Sequence, residues 1–226
     1  MDFEKARHNM IEQQLRPWLV SDPAVIEQLY ADRREDFVPE AYRALAFADV
    51  EIPVAVGMRG ASLLPPKLEG RILQALAVQP HERVLEIGAG SGHMAALLAA
   101  RAKAVWSVEI DPAVAAIARA NLERAGIDNV RVETGDGLAG LPASVANHAP
   151  FDAIVVSGGV NEVPRALLDL LAVGGRLAAF VALPGQAPTM ALRLFRRNAA
   201  DAIASADVLE TSVPFLKRPP APRFAF

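Results

Sequence analysis

Three glycines spaced two apart, Gly88, Gly90 and Gly92, with Glu86 ahead of them and Glu109 and Asp136 further on, are the residues whose types and spacing suit ligand chemistry. The glycines lie in the run RVLEIGAGSG (83–92), which continues into HMAALLA. Glycines at a turn let the backbone approach a ligand closely, and a helix that begins there offers unpaired N–H groups. A dinucleotide fingerprint reads G-x-G-x-x-G, whereas here the spacing is G-x-G-x-G and His93 stands where the third glycine is needed. A carboxylate at Glu86, facing a ligand, suits a cationic group rather than a pyrophosphate. Glu109 ends a second apolar run about 20 residues beyond the loop, where an acidic side chain accepts hydrogen bonds from ribose hydroxyls. Ala89, Ile110 and Gly137 adjoin these positions, and Ser157 and Gly158 end a further apolar run whose following loop lies beside the same ligand in a doubly wound sheet.

The elements that must position these residues follow from pattern. Residues 84–87 form a β-branched and aliphatic run, read as a strand buried on both faces, and 94–100 an Ala/Leu-rich helix opened by Ser91. Residues 104–108 and 130–133 read as the second and third strands, 151–156 as the fourth and 176–181 as the fifth. Asp111-Pro112 caps a helix that runs to about 125 before Gly126, and 163–171 reads as another helix. Residues 190–196 and 207–213 read as an edge hairpin. Ahead of the sheet lie helices over 2–15, from Ser21-Asp22-Pro23 to about 31, around 41–45, and through 71–76. The sum is an α/β fold: a doubly wound, mostly parallel sheet with N-terminal helices and a C-terminal antiparallel hairpin. We read 1–226 as one domain, with N-terminal helices and a substrate-side loop over 1–80, a ligand-binding core over 81–200, and an edge strand and basic proline-rich tail over 201–226.

Composition narrows the function classes. At 226 residues and 52% apolar the chain is long and hydrophobic enough for a substantial core. A net charge of −3 gives no electrostatic case for nucleic-acid or anionic-membrane partners. The absence of cysteine excludes disulfides, thiol nucleophiles and cysteine–zinc sites. No apolar run suffices to span a bilayer and MDFEKARHNM lacks the core of a signal peptide, so a cytoplasmic location is expected. The four histidines show no metal-ligand spacing, no metal is expected, and G-x-S-x-G does not occur. His93 reads as a packing and capping residue in preference to a catalytic base.

The stretch E-x-G-x-G-x-G resembles motif I of Rossmann-like methyltransferases, whose ligand is S-adenosyl-L-methionine. A more specific resemblance runs through MIEQQLRP, DFVPEAYRALAFADVEIPV, VLEIGAGSGHMAALLA, VWSVEID, NVRVETGDGLAGL, PFDAIVVSGG and VGGRLAAFV: in order, these are similar to the protein-L-isoaspartate O-methyltransferase family, over roughly residues 10–181. The resemblance implies that Glu86, Gly88, Ala89, Gly90, Gly92, Glu109, Ile110, Asp136, Gly137 and Ser157 bind S-adenosyl-L-methionine, with Asp136 beside the adenine. It also implies methyl transfer to the carboxylate of an isoaspartyl residue in a damaged protein or peptide.

The departure is GMRGASLLPPKLEG (57–70), where the family carries G-Q-T-I-S-x-P and its serine faces the acceptor carboxylate. With Gly60 and Pro66 as anchors, Ala61 takes the glutamine position, Ser62 the threonine and Leu64 the serine. A slide of the loop would instead let Ser62 deliver the hydroxyl, and Ser62 is the candidate catalytic residue, with Arg59 and Ser157 as further compensating groups. Two other readings stay open: a binding or scaffold protein that keeps the fold without transfer or methylates another acceptor, and, on the glycine loop alone, a dehydrogenase. The tail from Pro214 onward, with Lys217, Arg218 and Arg223, reads as extended and loosely held, or as a cover for the site or a contact for an acidic partner. Oligomeric state is not set by the sequence.

Overall fold

The computed structural model describes residues 2–217. Seven strands form one sheet: β3 (Arg83–Ile87), β4 (Ala104–Glu109), β5 (Val130–Thr134), β6 (Phe151–Val160), β7 (Leu171–Ala182), β8 (Met190–Ala199) and β9 (Ala202–Thr211). Their order is β5-β4-β3-β6-β7-β8-β9, the first five parallel and the last two joined antiparallel. The chain leaves β3 toward β4 and β5, then returns to lay β6 on its other side. The carboxyl ends of β3 and β6 therefore flank the point where strand order reverses, the place where open α/β sheets leave a crevice.

Alternation along the strands builds a core on each face. Val84, Val105, Ala153 and Val155 pack with α3 (Pro66–Leu76), α4 (His93–Ala99), α5 (Pro112–Arg124) and the N-terminal helices. Leu85, Trp106, Ile154 and Val156 face the opposite side, with the four-residue helices α6 (Ala143–Ala146) and α7 (Arg165–Leu168). A small second sheet pairs β1 (Ile52–Pro53) with β2 (Ser62–Leu63), antiparallel, through Ile52↔Leu63 and Pro53↔Ser62. It sets Ser62 and Val54 beside Gly90, at the carboxyl end of the large sheet.

The N-terminal helices start as their caps direct. Asp2 accepts from the Lys5 N–H at 3.0 Å to begin α1 (Phe3–Met10), and Asp22 accepts from Ala24 N–H at 2.8 Å to begin α2 (Pro23–Ala31). Residues Ile11–Leu15 continue α1 as a π-helical turn, and the third N-terminal helix is a 3₁₀ segment, Glu40–Leu45. The Gln74 side chain on α3 accepts from the Ser21 and Asp22 N–H groups at 2.7 and 2.9 Å, locking α2 to α3.

Two expectations are corrected. The helix expected over 163–171 is confined to Arg165–Leu168, and Leu171 already belongs to β7. Gly174-Gly175, expected as the turn into the fifth strand, lies inside β7 as a bulge: pairing with β6 jumps from Phe151↔Leu171 to Ala153↔Arg176. A Cβ on Gly175 would stand 2.9 Å from the Ala172 carbonyl and 3.0 Å from that of Asp152, so only glycine fits this register shift. The edge hairpin is present, with strands longer than expected and Val213 beyond its end.

Candidate active site

The glycine turn folds as its residue types require. Gly88, Gly90 and Gly92 all take positive φ (94°, 53° and 85°), a backbone region costly for any residue with a Cβ. Gly92, rather than Ser91, is the N-cap of α4. The Gly88 N–H donates to the Val108 carbonyl at 2.8 Å, tying the turn to β4. At the end of β4, Glu109 accepts from the Gly90 N–H at 3.2 Å and from the Asp111 N–H at 3.1 Å, one bond on each carboxylate oxygen. Two backbone donors thus fix that side chain before any ligand arrives.

The turn opens onto a cavity at the carboxyl end of the sheet. Gly88, Gly90, Glu109, Ile110, Asp136 and Ser157 line it, with apolar wall from Ile87, Val108 and Leu138. One Asp136 oxygen accepts from the Leu138 and Ala139 N–H groups at 3.1 and 3.2 Å, an Asx-type turn that orients the carboxylate. Two preset carboxylates above an apolar slot can accept from sugar hydroxyls and from an exocyclic amine while a flat ring packs between. Gly60, Ala61, Ser62 and Leu64 line the same cavity, so the glycine turn and the loop over 57–65 face one space.

Several expected residues sit elsewhere. Glu86 does not face this cavity; it is fully buried beneath the turn and borders a smaller recess beside it. Burial pushes its carboxyl up to about 8, against the opposing pull of the Ser107 and Ser157 hydroxyls, which donate to it at 2.6 and 2.9 Å. It meets the cavity only through Ser157. Ala89 borders the same recess. Gly92 caps α4, and Gly137 is glycine for packing, since a Cβ there would stand 2.6 Å from Ile87 Cδ1. None of Ala89, Gly92 and Gly137 lines the cavity that holds Glu109 and Asp136.

His93 lies at the hub of a buried charge cluster. Its Nδ1 is 3.0 Å from Glu69 and its Nε2 2.9 Å from Asp32. Burial opposes its charge, but the carboxylates of Glu69 and Asp32 outweigh burial and raise its pKa to about 9. Arg34, also buried, donates to Glu69, to the Ala46 carbonyl at 2.7 Å and to the Leu64 carbonyl at 2.6 Å. The cluster joins the helix after the glycine turn, α3 and the N-terminal segment to the loop that carries Leu64. Sequence reading missed Arg34, Glu69 and Asp32, because partners 24 to 61 residues apart leave no local pattern.

Of the readings of the tail, the cover for the site holds over residues 214–217, in place of a loosely held end. The Gly159 N–H donates to the Pro214 carbonyl and the Leu216 N–H to the Gly159 carbonyl, at 2.8 and 2.9 Å. Pro214, Phe215, Leu216 and Lys217 form a wall of the cavity, and Lys217 pairs with Asp111 at 3.0 Å. This part of the tail is held against the site; Arg218 and Arg223 lie outside the described residues. Among the described residues no group of three or more His, Asp or Glu is arranged to hold a metal ion, and no helix is long and apolar enough to cross a membrane.

A mostly parallel sheet, a glycine turn at its reversal point and an acidic residue ending each of the next two strand–loop units define a Rossmann-like S-adenosyl-L-methionine-dependent methyltransferase. Comparison with known proteins agrees. The family model described as protein-L-isoaspartate(D-aspartate) O-methyltransferase matches residues 5–217, and the chain belongs to that family. It is 41% identical over 184 residues to protein-L-isoaspartate O-methyltransferase 2 of Marinobacter nauticus, covering 81% of each chain. It is likewise 41% identical over 195 residues to protein-L-isoaspartate O-methyltransferase of Methylorubrum populi, covering 86% of this chain and 87% of that one. A solved protein-L-isoaspartate O-methyltransferase structure superposes with a TM-score of 0.79 at 27% identity, over 94% of this chain and 66% of the other.

Proposed function

We propose that the chain transfers a methyl group to the carboxylate of L-isoaspartyl residues in damaged proteins. The observation that carries this reading is the shared cavity: the donor-side residues Gly88, Glu109 and Asp136 and the acceptor-side residues Ser62 and Leu64 line one space. Glu109 would hold the ribose hydroxyls and Asp136 the adenine amino group, each carboxylate already oriented by backbone N–H groups. S-adenosyl-L-methionine supplies an electrophilic methyl on a sulfonium. The acceptor carboxylate is ionised at neutral pH and needs no general base. The protein's work is then positioning and exclusion of water, in keeping with a cavity lined by no histidine. The Ser62 hydroxyl is the candidate for orienting the acceptor oxygen, with Leu64 in the family serine's place.

The test is incubation with labelled methyl donor and an isoaspartyl peptide beside its aspartyl counterpart. Label in the isoaspartyl peptide alone is expected; equal label in both, or none, refutes the substrate. Leu64 favours a second reading, a family member that binds the donor but methylates a different acceptor or none. Tight donor binding with no transfer to any isoaspartyl peptide supports that reading.

A further inference from the structure

An acceptor carboxylate must meet a compensating group in this cavity, and the family hydroxyl is replaced by Leu64. Two of the cavity's lining side chains, Glu109 and Asp136, are carboxylates that repel an anionic acceptor. Among the described residues lining it, Lys217 is the one cation. Its Cε lies 3.1 Å from where a Cβ on Gly60 would stand, so its stem rests on the loop that carries Ser62 and Leu64. The backbone pairing of Pro214 and Leu216 with Gly159 fixes the segment from which it projects. Leu216 anchors it further, its Cδ2 at 2.9 and 2.6 Å from the Cβ positions of Gly88 and Gly158.

We infer that Lys217 is the acceptor-recognition cation of this enzyme, releasing Asp111 to pair with the isoaspartyl carboxylate at the mouth of the cavity. This rests on the isoaspartyl reading above. The present partner is easily exchanged: the Lys217 and Asp111 side chains are 38% and 29% exposed, and ion pairs of that kind contribute little. Asp111 is not stranded by the exchange, because its other oxygen still accepts from the Ala113 N–H at 3.0 Å as the cap of α5. Lysine suits the task, as a point charge on a flexible stem that can swing between two carboxylates.

Calorimetric titration of isoaspartyl and aspartyl peptides into protein saturated with S-adenosyl-L-homocysteine tests this without turnover. The wild type is expected to prefer the isoaspartyl peptide. Lys217→Met should weaken that binding by about tenfold or more, because the bound peptide covers the new pair and a shielded hydrogen bond to a charged group is worth more than the exposed one it replaces. Lys217→Arg should stay within a few-fold of wild type, and S-adenosyl-L-homocysteine affinity should be unchanged in both. Raising salt should weaken wild-type peptide binding more than that of Lys217→Met. Unchanged peptide affinity in Lys217→Met overturns the inference and leaves the isoaspartyl reading standing. Equal losses of peptide and S-adenosyl-L-homocysteine also overturn it, showing that the segment only walls the donor side. A wild type that binds both peptides alike overturns the inference together with the reading it rests on.

Discussion

Replacing His93 with leucine removes the proton carrier from between two buried carboxylates. His93 is 2% exposed, and its ring bridges Glu69 and Asp32 at 3.0 and 2.9 Å. Arg34 still neutralises Glu69 in the variant, but Asp32 loses its only side-chain hydrogen-bond partner among the described residues. Breaking one side of a buried pair costs about 3–5 kcal/mol, and the lower end applies because Arg34 remains. For a chain of this length each kcal/mol lowers Tm by about 2–4 °C, so a fall of roughly 6–12 °C at pH 7 is expected. The pH dependence sharpens the test. The folded-state pKa of about 9 exceeds the ordinary 6.5, so the native protein binds this proton more tightly than the unfolded chain. That stabilisation is complete below pH 6.5 and is lost as pH rises through about 9. The gap between wild type and His93→Leu should therefore be wide at pH 7 and narrow at pH 10. Thermal unfolding followed by circular dichroism across that range measures it. A gap of under 2 °C at pH 7, or one that stays constant to pH 10, refutes a bridging imidazolium.

Three other outcomes are expected. Glu109→Ala should weaken S-adenosyl-L-homocysteine binding about 10- to 150-fold by calorimetry, the loss of a charged acceptor worth about 1.5–3 kcal/mol; normal affinity would remove Glu109 from the site. Leu64→Ser should raise isoaspartyl turnover, by up to about 5- to 150-fold if the hydroxyl satisfies an acceptor oxygen otherwise left unpaired at about 1–3 kcal/mol. Ser62→Ala should lower isoaspartyl turnover if its hydroxyl orients the acceptor oxygen, and unchanged turnover would make Ser62 a bystander of the loop. Glu86→Gln should gain Tm relative to wild type as pH rises from 7 to 9: the raised carboxyl pKa of about 8 gives stability that is complete below 4.5 and lost through 8. A difference that does not change with pH would mean that Glu86 does not titrate in that window.

Elements held together by local rules were legible in the sequence. The strand, glycine turn and helix over 83–99, the Asp22 and Asp111 caps with their prolines, and Glu109 at a strand end all fall where pattern put them, because each depends on neighbours a few residues away. The miss at 163–171 has a clear cause. Its leucines satisfy helical spacing, but Leu171 pairs with Phe151 in β7, and tertiary pairing overrode the local preference. The Gly174-Gly175 bulge looked like a turn because its reason, the carbonyls of Phe151 and Asp152, belongs to another strand. Glu86 illustrates a different limit: spacing set its place before the glycines, but which way the strand faced decided that it is buried. His93 was legible as a packing residue and not as a charged one, since Asp32 and Glu69 reach it only through the fold.

Arg34 grips the loop at the Leu64 carbonyl, a backbone atom present whatever side chain occupies that position. The path of the loop is thus insured separately from the chemistry of its residue 64. A substitution at residue 64 leaves that carbonyl, and so the Arg34 hydrogen bond, in place even though the side chain it changes lines the cavity.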